Sequence, residues 1–177
     1  MEPVDGVSAA ATAVDGCSVV AFGTLPAGDS FDGNATTLDG ITGGTLTHQT
    51  PERSVTVCDP GCDRHPGWCI GVGHFFSHGR GHDGHDHGCT TITVRDTFVG
   101  TVDSLTCFIN GSSLALLSGE GTWNGATGYT FDLAATDDSP DEYEIIIYDS
   151  SLTVVYSTPT SAPGNQPTSG DITVVEL

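Results

Sequence analysis

The chain has 177 residues and 18.2 kDa, with 23 acidic residues against four arginines, no lysine and a formal charge of −19. Such a surface offers almost no cation to release counterions from a phosphate backbone and repels anionic lipid, so nucleic acid is excluded as a partner. No apolar run approaches the roughly 18 to 20 residues of a membrane helix, and the length suits one domain.

In chain order, the first 16 residues have neither a basic stretch nor an apolar one, so the numbering reads as that of a mature or trimmed chain. Residues 1–15 are expected to form an extended N-terminal arm, with Val7, Ala9, Ala11 and Ala13 on one side at period two. Strands are predicted at 18–22, 44–48 and 54–57, with turns at 29–33 and 39–44. Residues 58–89 break the pattern: this Gly-rich stretch holds four of the six cysteines and six of the seven histidines. It reads as a long insertion between two strands.

Past the insertion, residues 90–98 alternate as a half-buried strand, with Ile92, Val94 and Asp96 on one side. Short strands follow at 102–109, 114–117, 121–123, 127–134, 143–149, 153–157 and 172–176. Asn110-Gly111 and Asn124-Gly125 mark hairpin turns, and the three consecutive isoleucines 145–147 predict a central strand buried on both faces. Regular short strands without a convincing helix predict an all-β fold: a single antiparallel β-sandwich, jelly-roll-like, over residues 16–177, carrying the 58–89 insertion.

Gly119, Gly121, Thr122, Asn124, Gly125, Gly128, Tyr129 and Phe131, followed by Asp137, Asp141, Tyr143, Ile145 and Ile147, form the pattern G-x-G-T-x-N-G-x-x-G-Y-x-F…D-x-Y-x-I-x-I. Over residues 95–176 the chain resembles a β-sandwich domain recurrent at the C-termini of large secreted bacterial proteins. The resemblance implies a non-catalytic accessory or structural module. The arm and the Cys/His insertion depart from it, so a special function is expected there.

Six cysteines in an acidic Gly- and Thr-rich chain point to an oxidising, extracellular compartment. Locality suggests Cys17 with Cys107, Cys58 with Cys89 and Cys62 with Cys69, one of 15 pairings. The competing reading of the four clustered cysteines is zinc, for which the Cys58-x3-Cys62 spacing lacks a tight C-x2-C pair. His82, Asp83, His85, Asp86 and His87, joined by His74 and His78, form a candidate transition-metal site for Cu, Ni or Zn. The alternative is a solvated His/Gly/Asp tract. Asp137, Asp138 and Asp141 are a candidate calcium cluster, set against a plain acidic turn because the D-x-[DN]-x-[DN]-G loop is absent.

Asn34-Ala-Thr36 and Asn110-Gly-Ser112 match the N-glycosylation tripeptide, so glycans are possible partners. No G-x-S-x-G, H-E-x-x-H or phosphate-cradling loop is present, and no catalytic residue is assigned. The leading expectation is a secreted structural subunit on the cell surface, polymerising head-to-tail with copies of itself by strand donation from the arm. The alternatives are an extracellular metal-binding module and a carbohydrate-binding or adhesive module stacking on Trp68, Trp123 or Tyr129.

Overall fold

The structure, a computed structural model, describes residues 12–58 and 89–177. Among these residues the fold is all-β, with eleven strands and no helix. They are β1 (Cys17–Thr24), β2 (Ser30–Leu38), β3 (Ile41–Gln49), β4 (Arg53–Cys58), β5 (Cys89–Val94), β6 (Thr97–Ile109), β7 (Ser113–Trp123), β8 (Ala126–Asp137), β9 (Glu142–Tyr148), β10 (Val154–Ser157) and β11 (Ser169–Glu176). The described residues fall into two compact units: 12–51 with 96–177, and 52–58 with 89–95.

The larger unit is one continuous antiparallel sheet, in the order β10-β9-β8-β7-β6-β3-β2-β1-β11, curled into a half-barrel. The curl, not a second sheet, closes the core: β11, at one end of the order, lies against β8, β7 and β6. Neighbouring strands are meander hairpins with two exceptions: β3 pairs with β6 across the β4–β5 excursion, and β11 returns to pair with β1.

Period-two alternation places the core. Cys17, Val19 and Ala21 of β1, Ile172 and Val174 of β11, and Tyr143, Ile145 and Ile147 of β9 are buried, while Val20, Phe22 and Val175 face out. Each large apolar side chain so buried contributes about 1.5–3 kcal/mol. β9 lies one strand from the sheet's end and buries one face only, so its isoleucine triplet is not the doubly buried central strand expected.

Asp39-Gly40 and Asn124-Gly125 have positive φ at both residues (52° and 77°, 52° and 81°), the two-residue turn that matches strand twist. Gly100 and Gly121 serve a different purpose. A Cβ on either would fall 2.7 Å or less from the Phe98 ring, which packs edge-on against Phe131 at 5.5 Å. Residues 114–117 and 121–123, expected as two strands, are therefore one strand whose glycine makes room for an aromatic ring.

Of residues 29–33, expected as a turn, 30–33 begin β2 and Asp29 precedes it, and the strand expected over 90–98 is broken at Arg95-Asp96 into β5 and β6. The smaller unit is the hairpin of β4 and β5, paired in register from Arg53↔Val94 to Cys58↔Cys89. Ile92 is 43 % exposed and Val94 only half-buried there, so this strand is mostly solvated on both faces.

Candidate functional site

β3 and β6 pair only from Gln49↔Thr97 to Thr45↔Thr101. Beyond that point the sheet forks. Among the described residues, no strand pairs with β6 on its β3 side from Val102 to Thr106, nor with β3 on its β6 side from Ile41 to Gly44. On β6 the next contact on that side is with the arm: Ala13 bridges Phe108, and the Val14 N–H donates to the Cys107 carbonyl at 3.0 Å. Val14 packs against the core, whereas Thr12 and Ala13 are exposed. Of the assembly-arm residues named from sequence, Ala13 thus rests on its own subunit's β6, and Val7, Ala9 and Ala11 lie outside the described residues.

The fork is held by a disulfide. Cys17 and Cys107, both fully buried, join β1 to β6 with Cα atoms 6.3 Å apart, as the locality argument expects. This bond fits an oxidising compartment. Cys89 is also disulfide-bonded, and its register partner across the hairpin is Cys58. Cys62 and Cys69 lie outside the described residues.

A buried polar network braces the opposite end of the core. Asp29, 1 % exposed, follows a tight turn closed by Leu25 N–H to the Asp29 carbonyl at 2.8 Å. Its Oδ1 meets His48 Nε2 at 3.0 Å, and His48 Nδ1 meets the Tyr143 hydroxyl at 3.2 Å. The Tyr156 hydroxyl donates to the same Asp29 oxygen. A neutral imidazole satisfies every partner: Tyr143 donates to Nδ1, and Nε2–H donates to the carboxylate. Rings stack around it, Phe31 on Tyr143 at 3.8 Å and Trp123 on Tyr156 at 5.8 Å.

Burial alone raises the Asp29 pKa, but the hydrogen bonds from His48 and Tyr156 outweigh it and hold the carboxyl below its usual value. Desolvation and the nearby Asp29 charge push both tyrosine hydroxyls up. The network ties the turn before β2 to β3, β9 and β10. Sequence reasoning missed it, although one signal was present: His48 is two residues from Leu46, hence on the same, core-facing side of β3.

The other predicted sites fall as follows. Asp137 and Asp141 are occupied by backbone: Asp141 Oδ2 accepts the Ile172 N–H at 2.9 Å, and Asp137 Oδ2 accepts the Val174 N–H at 3.0 Å. They cover the free edge of β11, and Asp138 is exposed beside them. Among the described residues no three His, Cys, Asp or Glu side chains converge on a metal position. His74, His78, His82, Asp83, His85, Asp86 and His87 lie outside the described residues, as does Trp68. Asn34, in the middle of β2, and Asn110, in the β6–β7 turn, are exposed. Trp123 and Tyr129 are half-buried and pack against the core, with Trp123 stacked on Tyr156.

Among the described residues no helix is long and apolar enough to cross a membrane. No family model, no curated protein and no solved structure matches the chain.

Proposed function

We propose that the chain is an extracellular, non-catalytic structural subunit that assembles head-to-tail with copies of itself, the arm of one subunit adding a strand to the next. The observation that carries this reading is that, among the described residues, no strand pairs with β6 on its β3 side from Val102 to Thr106, with the arm rooted beside that edge at Ala13 and Val14. An exposed strand edge is a template for another strand. Residues 1–11, fully extended, would reach about 36 Å, enough to pass to a neighbour. The acidic surface opposes association, so divalent cations or salt would favour it.

Negative-stain electron microscopy of the unreduced chain, with and without residues 1–11, tests the reading. Fibres from the full chain and none from the truncated one are expected; assembly that survives truncation overturns strand donation.

A second reading is supported by the β4–β5 hairpin, a unit of its own whose strands are paired up to the ends of the Cys/His segment. A hairpin of this kind would present that segment as an extracellular transition-metal site. Replacing His82, His85 and His87 together by Ala is expected to abolish stoichiometric Cu(II), Ni(II) or Zn(II) binding in calorimetry; unchanged affinity excludes it.

A further inference from the structure

The outer face of β6 to β9 is a trough, which meets the β6 edge only at its rim, through Asp103, Ser104 and Thr106. Alternation turns Leu117, Leu133 and Ile145 inward and leaves Leu116, Ser118, Asp132 and Ile146 on the outside. Cross-strand register lines up Ser104, Ser118, Asp132 and Ile146 in one row, with Glu144 in the row on one side and Tyr148 in the row on the other. Two cavities of about 320 Å³ and 430 Å³ open along this face and share Ser118 and Asp132 as lining. Each falls within the usual range of small-ligand sites, about 300 to 1,000 Å³.

Glu144 is fixed in place before any ligand arrives. Asn165, 2 % exposed, donates its Nδ2 to Glu144 Oε1 at 2.9 Å. Tyr148 stands diagonally across from Asp132, two residues on from its register partner Ile146, and burial together with the nearby Asp132 charge pushes its hydroxyl pKa up. Above Tyr148 the chain turns on Asp149, whose Oδ1 accepts the N–H groups of Ser151 and Thr153 at 2.8 Å and 3.0 Å. That turn holds Leu152 at φ 60°, a left-handed conformation uncommon for leucine, and leaves it 75 % exposed on the rim of the second cavity. An exposed leucine in strained backbone adds nothing to the core, and strain of this kind accompanies ligand contacts.

The chemistry narrows the occupant. No arginine lines either cavity, and the four carboxylates that do, Asp103, Glu120, Asp132 and Glu144, would repel an anion. The middle of the floor belongs to β7 and β8, whose backbones are paired on both sides, so a peptide has no edge to extend there. What remains complementary is a ligand with many hydroxyl donors and apolar C–H faces: the carboxylates accept the hydroxyls, while Tyr148 and Leu152 cover the C–H faces. From the Glu144 row to the Tyr148 row the trough runs four residues, roughly 13 Å, more than one sugar ring.

We infer that this trough binds a neutral oligosaccharide, oriented by Asp132 and Glu144 and covered by Tyr148 and Leu152.

Titration of the full, unreduced chain with cellohexaose, mannohexaose and maltohexaose, and with hexagalacturonate as anionic control, tests it by ¹H–¹⁵N correlation spectra. At least one neutral hexasaccharide is expected to shift the amides of Ser118, Asp132, Ile146 and Tyr148, while hexagalacturonate is not. Ser118→Leu, which fills the shared floor, and Tyr148→Ala, which removes the platform, should each weaken binding about tenfold or more. Dispersed spectra verify that each variant is folded. Absence of shifts from all three neutral probes up to about 10 mM, shifts confined to other strands, equal binding of hexagalacturonate, or undiminished affinity in both folded variants would overturn the assignment.

Discussion

Replacing Asp29 by Ala removes the shared acceptor of two hydrogen bonds. His48 is fully buried, so its Nε2–H loses its partner with no water to replace it, whereas Tyr156 is half-buried and its hydroxyl turns to solvent. A buried donor left unsatisfied costs about 1–3 kcal/mol, and a hydrogen bond to a charged group is worth about 1.5–3 kcal/mol. The expected loss at pH 7 is about 3 kcal/mol, or a fall in Tm of roughly 6–12 °C for a chain of this size. Urea unfolding followed by tyrosine and tryptophan fluorescence measures it. The pH dependence has a definite sign. The folded carboxyl titrates below its ordinary value, so its contribution is complete above the unfolded pKa near 3.8 and is lost as pH falls through the lower, folded value. The gap between wild type and Asp29→Ala should therefore narrow below about pH 3.8. A loss under about 1 kcal/mol at pH 7, or a gap that stays constant into that acid range, would show that the network does not carry the energy assigned to it.

Two more measurements probe the closure of the sheet. The Cys17–Cys107 bond spans 90 residues of sequence, for which the chain-entropy model gives about 4.6 kcal/mol; the Cys17→Ser/Cys107→Ser double variant should lose most of that in urea unfolding, and a loss below about 1 kcal/mol would contradict the entropic account. Asp137→Ala and Asp141→Ala each strip one β11 N–H of its acceptor, at about 1 kcal/mol, so amide exchange at Val174 and Ile172 respectively should speed up about fivefold, with amides facing β1 unchanged.

The sequence announced the class of fold and several hairpins because alternation and Asn-Gly pairs are local signals. Asn124-Gly125 needs only its own φ values to declare a turn. β2 was hidden because its outward positions, Asp32, Asn34 and Thr36, together with Gly33, have turn-like composition, while only Phe31 and Ala35 show the core face. Gly33 is small for a tertiary reason: a Cβ there would lie 2.9 Å from Leu46 Cδ1 on the neighbouring strand. The Asp29–His48–Tyr143–Tyr156 network joins residues up to 127 positions apart, and no local pattern marks them as partners. Likewise Asp137 and Asp141 read as an acidic turn until β11 is seen to present its N–H groups to them.

The open edge, the bulge and the disulfide are best understood as one feature. The register between β6 and β7 slips at Asp103, between Val102 and Ser104, immediately after the last β3 pair at Thr101. A bulge adds twist and bends its strand. Bending there turns the second half of β6 away from β3, which stays with β2, and so opens the fork. The same bend carries Cys107 toward β1, where Cys17 is buried and within bonding distance. The two halves, paired through the short β3–β6 ladder and packed together where β11 meets β8, are thereby also tied covalently across the core. The disulfide and the β11 contacts therefore hold the two halves together where, among the described residues, no strand pairs with β6 on its β3 side from Val102 to Thr106.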